Sequence, residues 1–174
     1  IHPISSIVGG FTKLPREKEL DTMLDILYEM RPGMDATVEL AAGFKFPAFE
    51  RETEYVALVS DEDEYPMLYG DVGSSDGKRV NKNEYKKVTN EFIVPHSTAK
   101  HAKWNRESYA VGALARFNLN AQKLHPKARK VANELNMKPK VINPYLNTVA
   151  QLIECVHSLE DGIRILEGFK KSEI

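Results

Sequence analysis

Thiols are nearly absent from this chain of 174 residues: Cys155 is the only cysteine. One cysteine excludes an intrachain disulfide framework and any four-cysteine metal site built within the chain. A disulfide-free chain suits a reducing compartment. No window approaches the ~20 consecutive apolar residues of a membrane span. Residues Ile1 to Gly10 lack the charged start and long apolar run of a signal peptide, and they lack an initiator Met. The expectation is a processed, excised or partial chain. There is no excess charge of either sign, since the formal net charge is −1. Nothing global steers the chain to nucleic acid or to an acidic membrane.

What is present is ordinary for a globular protein. Hydrophobic residues make up 42% and charged residues 28%. The length fits one domain, 1–174, with a real core. Pro15 suits a first helical position, with Glu17 and Glu19 in the first turn. Leu20, Met23, Leu24, Leu27 and Met30 then recur at helical steps. Pro32-Gly33 predicts a stop, with a second helix over Met34 to Ala42. Tyr55–Val59 and Met67–Val72 read as strands, and Ser74-Ser75-Asp76-Gly77 reads as a turn. The prediction is a small antiparallel sheet over about 44–81. Helices are expected over Asn83–Glu91, Ser108–Asn118 and Pro126–Asn136, and from Pro144 to about Phe169. The last is capped by Asn143-Pro144 and lined by Leu146, Val149, Ile153, Val156, Ile163 and Leu166. The fold class is therefore α+β: a small antiparallel sheet inserted among helices (helical 13–43, β-rich 44–81, helical 82–174), with a long C-terminal bundle helix.

The chemical inventory is thin. Glu154 and His157 form a Glu-x-x-His pair on one helix face, but a di-iron site needs a second copy and two more carboxylates. No second copy exists in the sequence. A partly exposed polar pair beside the core stripe is the expected role. His96 and His101 lie five apart, a spacing that does not stack on a helix. Hydrogen bonding at a loop–helix junction is expected for them. Lys100, His101, Lys103, Trp104 and Arg106 form a short basic cluster, expected to be a solvated or partner-facing loop rather than a nucleic-acid grip. Asp61–Glu64 lacks the ligand alternation of a calcium loop. Gly9-Gly10 has no Gly-Lys-Ser/Thr after it. No serine sits in a Gly-x-Ser-x-Gly elbow. Cys155 is expected to be a buried, inert thiol. Catalytic residues and metal ligands are therefore assigned to none of these positions.

Four segments, in order, carry a resemblance. They are Ile1-His2-Pro3 to Val8-Gly9-Gly10, Glu91 through Lys100, Tyr109 to Asn118, and Asn143-Pro144 through Ala150, Glu154 and His157. Together they resemble the nickel–iron hydrogenase large (alpha) subunit, in its cytoplasmic branch. One departure is Ala113, where the family usually has Pro. The resemblance implies reversible cleavage of H2 into protons and electrons at a nickel–iron centre in the intact subunit. It implies a small iron–sulfur subunit as partner, and a cytoplasmic location. The family's metal is held by two Cys-x-x-Cys motifs, one near each end, and this sequence contains neither. The implied role is the central part of a larger subunit, inactive alone, with the remaining N- and C-terminal parts as partners. No cofactor is expected in this piece. The one position carried over is His2, implied to lie near the small subunit's iron–sulfur cluster. The alternatives are a scaffold similar to the complex I quinone-site subunit, and a non-enzymatic interaction module.

Overall fold

The structure is a computed structural model. It describes the backbone of residues 6–7, 10–11 and 15–171 and the side chains of residues 15–169. His2 lies outside the described residues. Two short strands, β1 (Ser6–Ile7) and β2 (Gly10–Phe11), pair antiparallel.

The first long helix, α1, runs unbroken over Glu17–Ala42. Pro15 precedes its N-cap, Arg16, rather than opening it. Glu19 accepts from the Arg16 backbone N–H at 2.8 Å and from its guanidinium at 2.9 Å. The expected break at Pro32-Gly33 does not occur. The inner stripe Leu20, Leu24, Leu27, Arg31, Met34, Val38 and Ala41 stays in phase across it. Pro32 falls off that stripe, and its missing N–H would have bonded the carbonyl of Tyr28, an exposed residue.

The sheet is mixed, not purely antiparallel. Its order is β5 (Arg79–Val80), β4 (Asp71–Ser74), β3 (Glu54–Val59) and β8 (Tyr109–Ala110). The first two pairings are antiparallel, and β8 joins β3 in parallel with Glu54 opposite Tyr109. The predicted turn closes β4 to β5, with Gly77 at φ +85° and its N–H on Ser74 O at 3.0 Å. The second strand starts later than predicted, because Gly70 at φ +148° leaves no room for a side chain. A Cβ there would lie 2.6 Å from the Val59 carbonyl oxygen. Met67, Leu68 and Tyr69 consequently form an exposed loop.

The stretch expected to be helical from residue 82 holds a 3-10 turn (Lys82–Lys87) and a hairpin, β6 (Asn90–Phe92) with β7 (His101–Lys103). Helix α2 spans Ala113–Asn120, starting after Gly112 at φ +91°. Gly112 has no side chain to cap it, so Asn147 Oδ1 from a distant helix accepts the Leu114 N–H at 3.1 Å. Helix α3 spans Pro126–Glu134, and α4 spans Asn147–Lys171 after a 3-10 turn at Pro144–Leu146. Asn143 caps that turn through Tyr145 N–H at 3.0 Å, as the sequence predicts.

The core lies where α2, α3 and α4 meet the sheet, around Phe117, Leu114, Ala128, Val131, Ile153 and Val156. Burying each large apolar side chain contributes about 1.5–3 kcal/mol. Helix α1 packs antiparallel on α4, with Leu27 over Gly162 and Tyr28 hydrogen-bonded to Glu167. A Cβ on Gly33 would meet nothing within 4 Å. Gly33→Ala should therefore stabilise the chain by about 0.5–1 kcal/mol, through helix propensity alone. Gly70→Ala should destabilise it by more than that. Urea unfolding of the two variants checks both signs.

Candidate functional site: a polar spine on the C-terminal helix

Helix α4 should bury an apolar stripe, and it does, but three ionisable residues sit inside that stripe. Glu154, His157 and Glu160 are 6%, 7% and 5% exposed. Their three-residue spacing keeps them on one side of the helix. Isolated charges at such depth are costly, so each must find partners. Glu154 accepts a two-pronged bond from Arg116 of α2, at 2.6 and 2.7 Å. It also accepts from the Tyr65 hydroxyl at 2.9 Å. Glu160 takes Arg31 of α1 in the same manner, at 3.0 and 2.5 Å, with Lys127 of α3 at 3.3 Å. His157 Nδ1 accepts the backbone N–H of His125 at 3.0 Å. His125 is itself the N-cap of α3, its Nδ1 accepting from Lys127 N–H at 3.3 Å. One helix thus ties α1, α2, α3 and the Tyr65 loop together.

Protonation follows the geometry. A histidine that accepts at Nδ1 is neutral and carries its proton on Nε2. Burial pushes His157 below its ordinary value of 6.5, with Asp161 opposing and His125 reinforcing. Burial raises Tyr65 strongly, and the Glu154 carboxylate adds to it, so the phenol stays a donor. Burial would raise Glu160, but hydrogen bonds from Arg31 and Lys127 outweigh it and the pKa falls. The Arg116 guanidinium is raised by its bond to Glu154.

His157 lines two adjoining clefts. One, of about 420 Å³, opens between the Asp63–Tyr65 loop, the start of α3 and α4. The other, of about 400 Å³, lies beside Met67–Tyr69. Glu64, Tyr65, His157 and Asp161 border both. Arg164 in the first cleft is already held by Asp161, at 2.7 Å. The first cleft is mostly polar and the second mostly apolar, lined by Pro66, Met67, Leu68 and Ile165.

A third buried carboxylate, Glu54, is 0% exposed at the start of β3. It accepts from Ser74 Oγ at 2.6 Å, Asn105 Nδ2 at 2.5 Å, and the backbone N–H groups of Asn105 and Arg106, each at 3.1 Å. These donors hold the 105–106 loop against the sheet and bring Tyr109 into register as β8.

Other residues singled out in the sequence are not gathered into a site. Glu154 and His157 are buried rather than partly exposed, because each has a dedicated partner. Cys155 is exposed, not buried. It shares the solvent side of α4 with Gln151 and Ser158, next to the core stripe but outside it. His96 and His101 meet edge to face at 5.6 Å beside the β6–β7 hairpin, not at a loop–helix junction. The basic cluster is largely neutralised: Lys100 by Glu91, Lys103 by Glu107, and Arg106 by Asp76. Sequence reasoning missed Glu54 and Glu160. The continuation of the Glu154–His157 step to residue 160 was the available signal for the latter. Among the described residues, no three His, Cys, Asp or Glu side chains converge as metal ligands. No helix of the described residues is long and apolar enough to cross a membrane.

No protein-family model matches the chain. Over 96% of its length it is 33% identical to the sulfhydrogenase 1 alpha subunit of Pyrococcus furiosus, covering 39% of that protein. The sulfhydrogenase 2 alpha subunit of the same organism is 28% identical over 96% of the chain, and 38% of that protein is covered. This chain is related to the hydrogenase alpha subunits. It spans about two fifths of the length of these curated relatives. The fold agrees: an NAD+-reducing NiFe hydrogenase in the H2-reduced state superposes with a TM-score of 0.66. That match covers 94% of this chain and 41% of the other, at 21% identity. The four motifs that resemble hydrogenase sequences therefore sit in a chain related to hydrogenases throughout. Arg116 of the Tyr109–Asn118 motif and Glu154 of the Asn143–His157 motif are partners of one partly buried ion pair. A nickel–iron centre does not fit the described residues, because soft metals need several thiolates and Cys155 stands alone.

Two outcomes test the spine. Tyr65→Phe removes a donor to a buried carboxylate and should cost about 1.5–3 kcal/mol in urea unfolding. His157 binds its proton less readily folded than unfolded. Its contribution is complete above its ordinary value of 6.5 and is lost as pH falls below it. His157→Gln should flatten the stability profile in that window. Glu160 acts in a separate, more acidic window, below its ordinary 4.5.

Proposed function

We propose that the chain is the central part of a nickel–iron hydrogenase large subunit. The alignment of 96% of its length with a sulfhydrogenase alpha subunit carries this reading. The intact subunit interconverts H2 with two protons and two electrons, and the electrons pass to a small iron–sulfur subunit. Residues 1–174 act as one scaffold domain within it and supply no metal ligand. Their part is mechanical. Helix α4, fixed from three sides by charged hydrogen bonds, is a rigid wall on which metal-bearing segments are positioned. His2 is the position assigned beside the small subunit's cluster, where a histidine hydrogen bond would tune the potential. The cytoplasmic location is the one implied by the resemblance to the family's cytoplasmic branch.

Elemental analysis tests the reading. The intact subunit containing this segment should copurify with about one nickel and one iron per chain and show H2-dependent dye reduction, a stoichiometry set by a bimetallic centre. The 174-residue chain alone should bind neither metal stoichiometrically. Nickel held by the isolated chain, or a metal-free intact subunit, would overturn it.

A further inference from the structure

The first turn of α3 hangs on two imidazoles in series. His157 Nδ1 accepts the backbone N–H of His125 at 3.0 Å, and His125 Nδ1 accepts the backbone N–H of Lys127 at 3.3 Å. Pro126, between them, has no N–H. A Ser, Thr or Asn side chain, the usual helix cap, accepts at every pH. An imidazole accepts at Nδ1 only while that nitrogen carries no proton. Charges bear on His157 from each element around it. On α4, Asp161 and Glu154 favour a protonated ring and Arg164 disfavours it. Glu154 is itself held by Arg116 of α2 and by Tyr65. On α3, His125 disfavours protonation, as does the positive end of the helix dipole. Lys127 of that turn is held by Asp35 and Glu160. Lys123 and Arg129 line the cleft beside the ring, as do Asp63 and Glu64 of the loop, whose Tyr65 ring lies 5.0 Å from the imidazole. A protonated ring has another partner on its own helix face: Asp161, four residues on. Arg164 now holds Asp161 at 2.7 Å and has Glu64, across the cleft at 3.9 Å, as its alternative.

We propose that His157 is an acid-operated latch: proton uptake turns Nδ1 from acceptor to donor, frees the first turn of α3 from α4, and passes the ring to Asp161 while Arg164 passes to Glu64. Two N–H groups would otherwise point at each other, so the charged ring and the His125 amide do not keep their present contact. Release is local. Ala128, Val131 and Ala132 keep the rest of α3 in the core, and the Arg116–Glu154 and Arg31–Glu160 bonds of α4 do not involve the ring. What moves is the wall of the cleft of about 420 Å³, which the start of α3 and the Asp63–Tyr65 loop share. The latch is shut above the ring's ordinary value of 6.5 and opens as pH falls below it, since burial holds the ring under that value. This inference stands apart from the hydrogenase reading, because every group in it lies in this chain.

The test is an NMR titration of the folded chain from about pH 8 to about pH 4.5, a range that brackets histidine charging. The His125 amide signal should move upfield as its bond is lost, with the same midpoint as the His157 ring, while amides at the centre of α4 such as Ile153 hold their positions. His157→Asn sets an amide oxygen where Nδ1 stood, so its His125 amide should not respond to pH in this range. Asp161→Asn removes the alternative partner and should lower the ring's midpoint by about one pH unit. The latch is overturned if the ring charges while the His125 amide stays put, or if that amide moves equally in His157→Asn. It is overturned also if Asp161→Asn leaves the midpoint unchanged, or if the chain unfolds as a whole before the ring takes a proton.

Discussion

A carboxylate buried among apolar side chains governs how this chain is put together. Glu154 is tolerable inside the α4 stripe only while Arg116 and Tyr65 answer it. Such a pair contributes little net stability relative to well-packed apolar residues, because desolvating both charges offsets their attraction. Its effect is on specificity. An apolar stripe alone would let α4 slide or rotate against its neighbours. A two-pronged bond to α2, a second to α1 through Glu160 and Arg31, and a ring nitrogen on the α3 cap permit one arrangement. Removing any one partner leaves a buried group short of a hydrogen bond, which is costlier than losing a surface contact.

Glu54 applies the same logic at the sheet. Four donors converge on it, two of them backbone N–H groups from residues about fifty positions away. They seat the loop that brings β8 alongside β3. The parallel strand is thus seated by a polar contact at Glu54 as well as by the apolar pairing of Tyr55 with Ala110. That explains why two residues, Tyr109 and Ala110, leave a helix pattern to become a strand.

What the sequence revealed depended on range. The stripe of α4, the Asn143-Pro144 start and the Asp76-Gly77 turn follow from neighbours within a few residues, and all were legible. Pro32 was misread because propensity is local, whereas the stripe that carries α1 across it gains its energy from α4. Cys155 was misplaced by one helical step, enough to move it from core to solvent. Glu54 offered no local signal, since nothing near it marks Ser74 or Asn105 as donors. The chemistry was legible mainly as absence: too few thiols for a soft-metal centre. The family resemblance was readable from four motifs. Two of them turn out to supply the two halves of the Arg116–Glu154 pair, so their presence here has a physical reason.

Under the proposed hydrogenase reading, in which metals lie on other segments, a scaffold fixed by geometry-demanding bonds is a sound design. Small displacements at a bimetallic centre change reactivity, and a bundle held by apolar packing alone tolerates them. The direct check is a double-mutant cycle on Glu154→Gln and Arg116→Met in urea unfolding. A coupling energy of about 2 kcal/mol or more is expected, because losing Arg116 strands the buried Glu154 carboxylate and losing the carboxylate leaves the half-buried Arg116 without it. Additive effects, with coupling near zero, would show that the pair does not hold α4 in place.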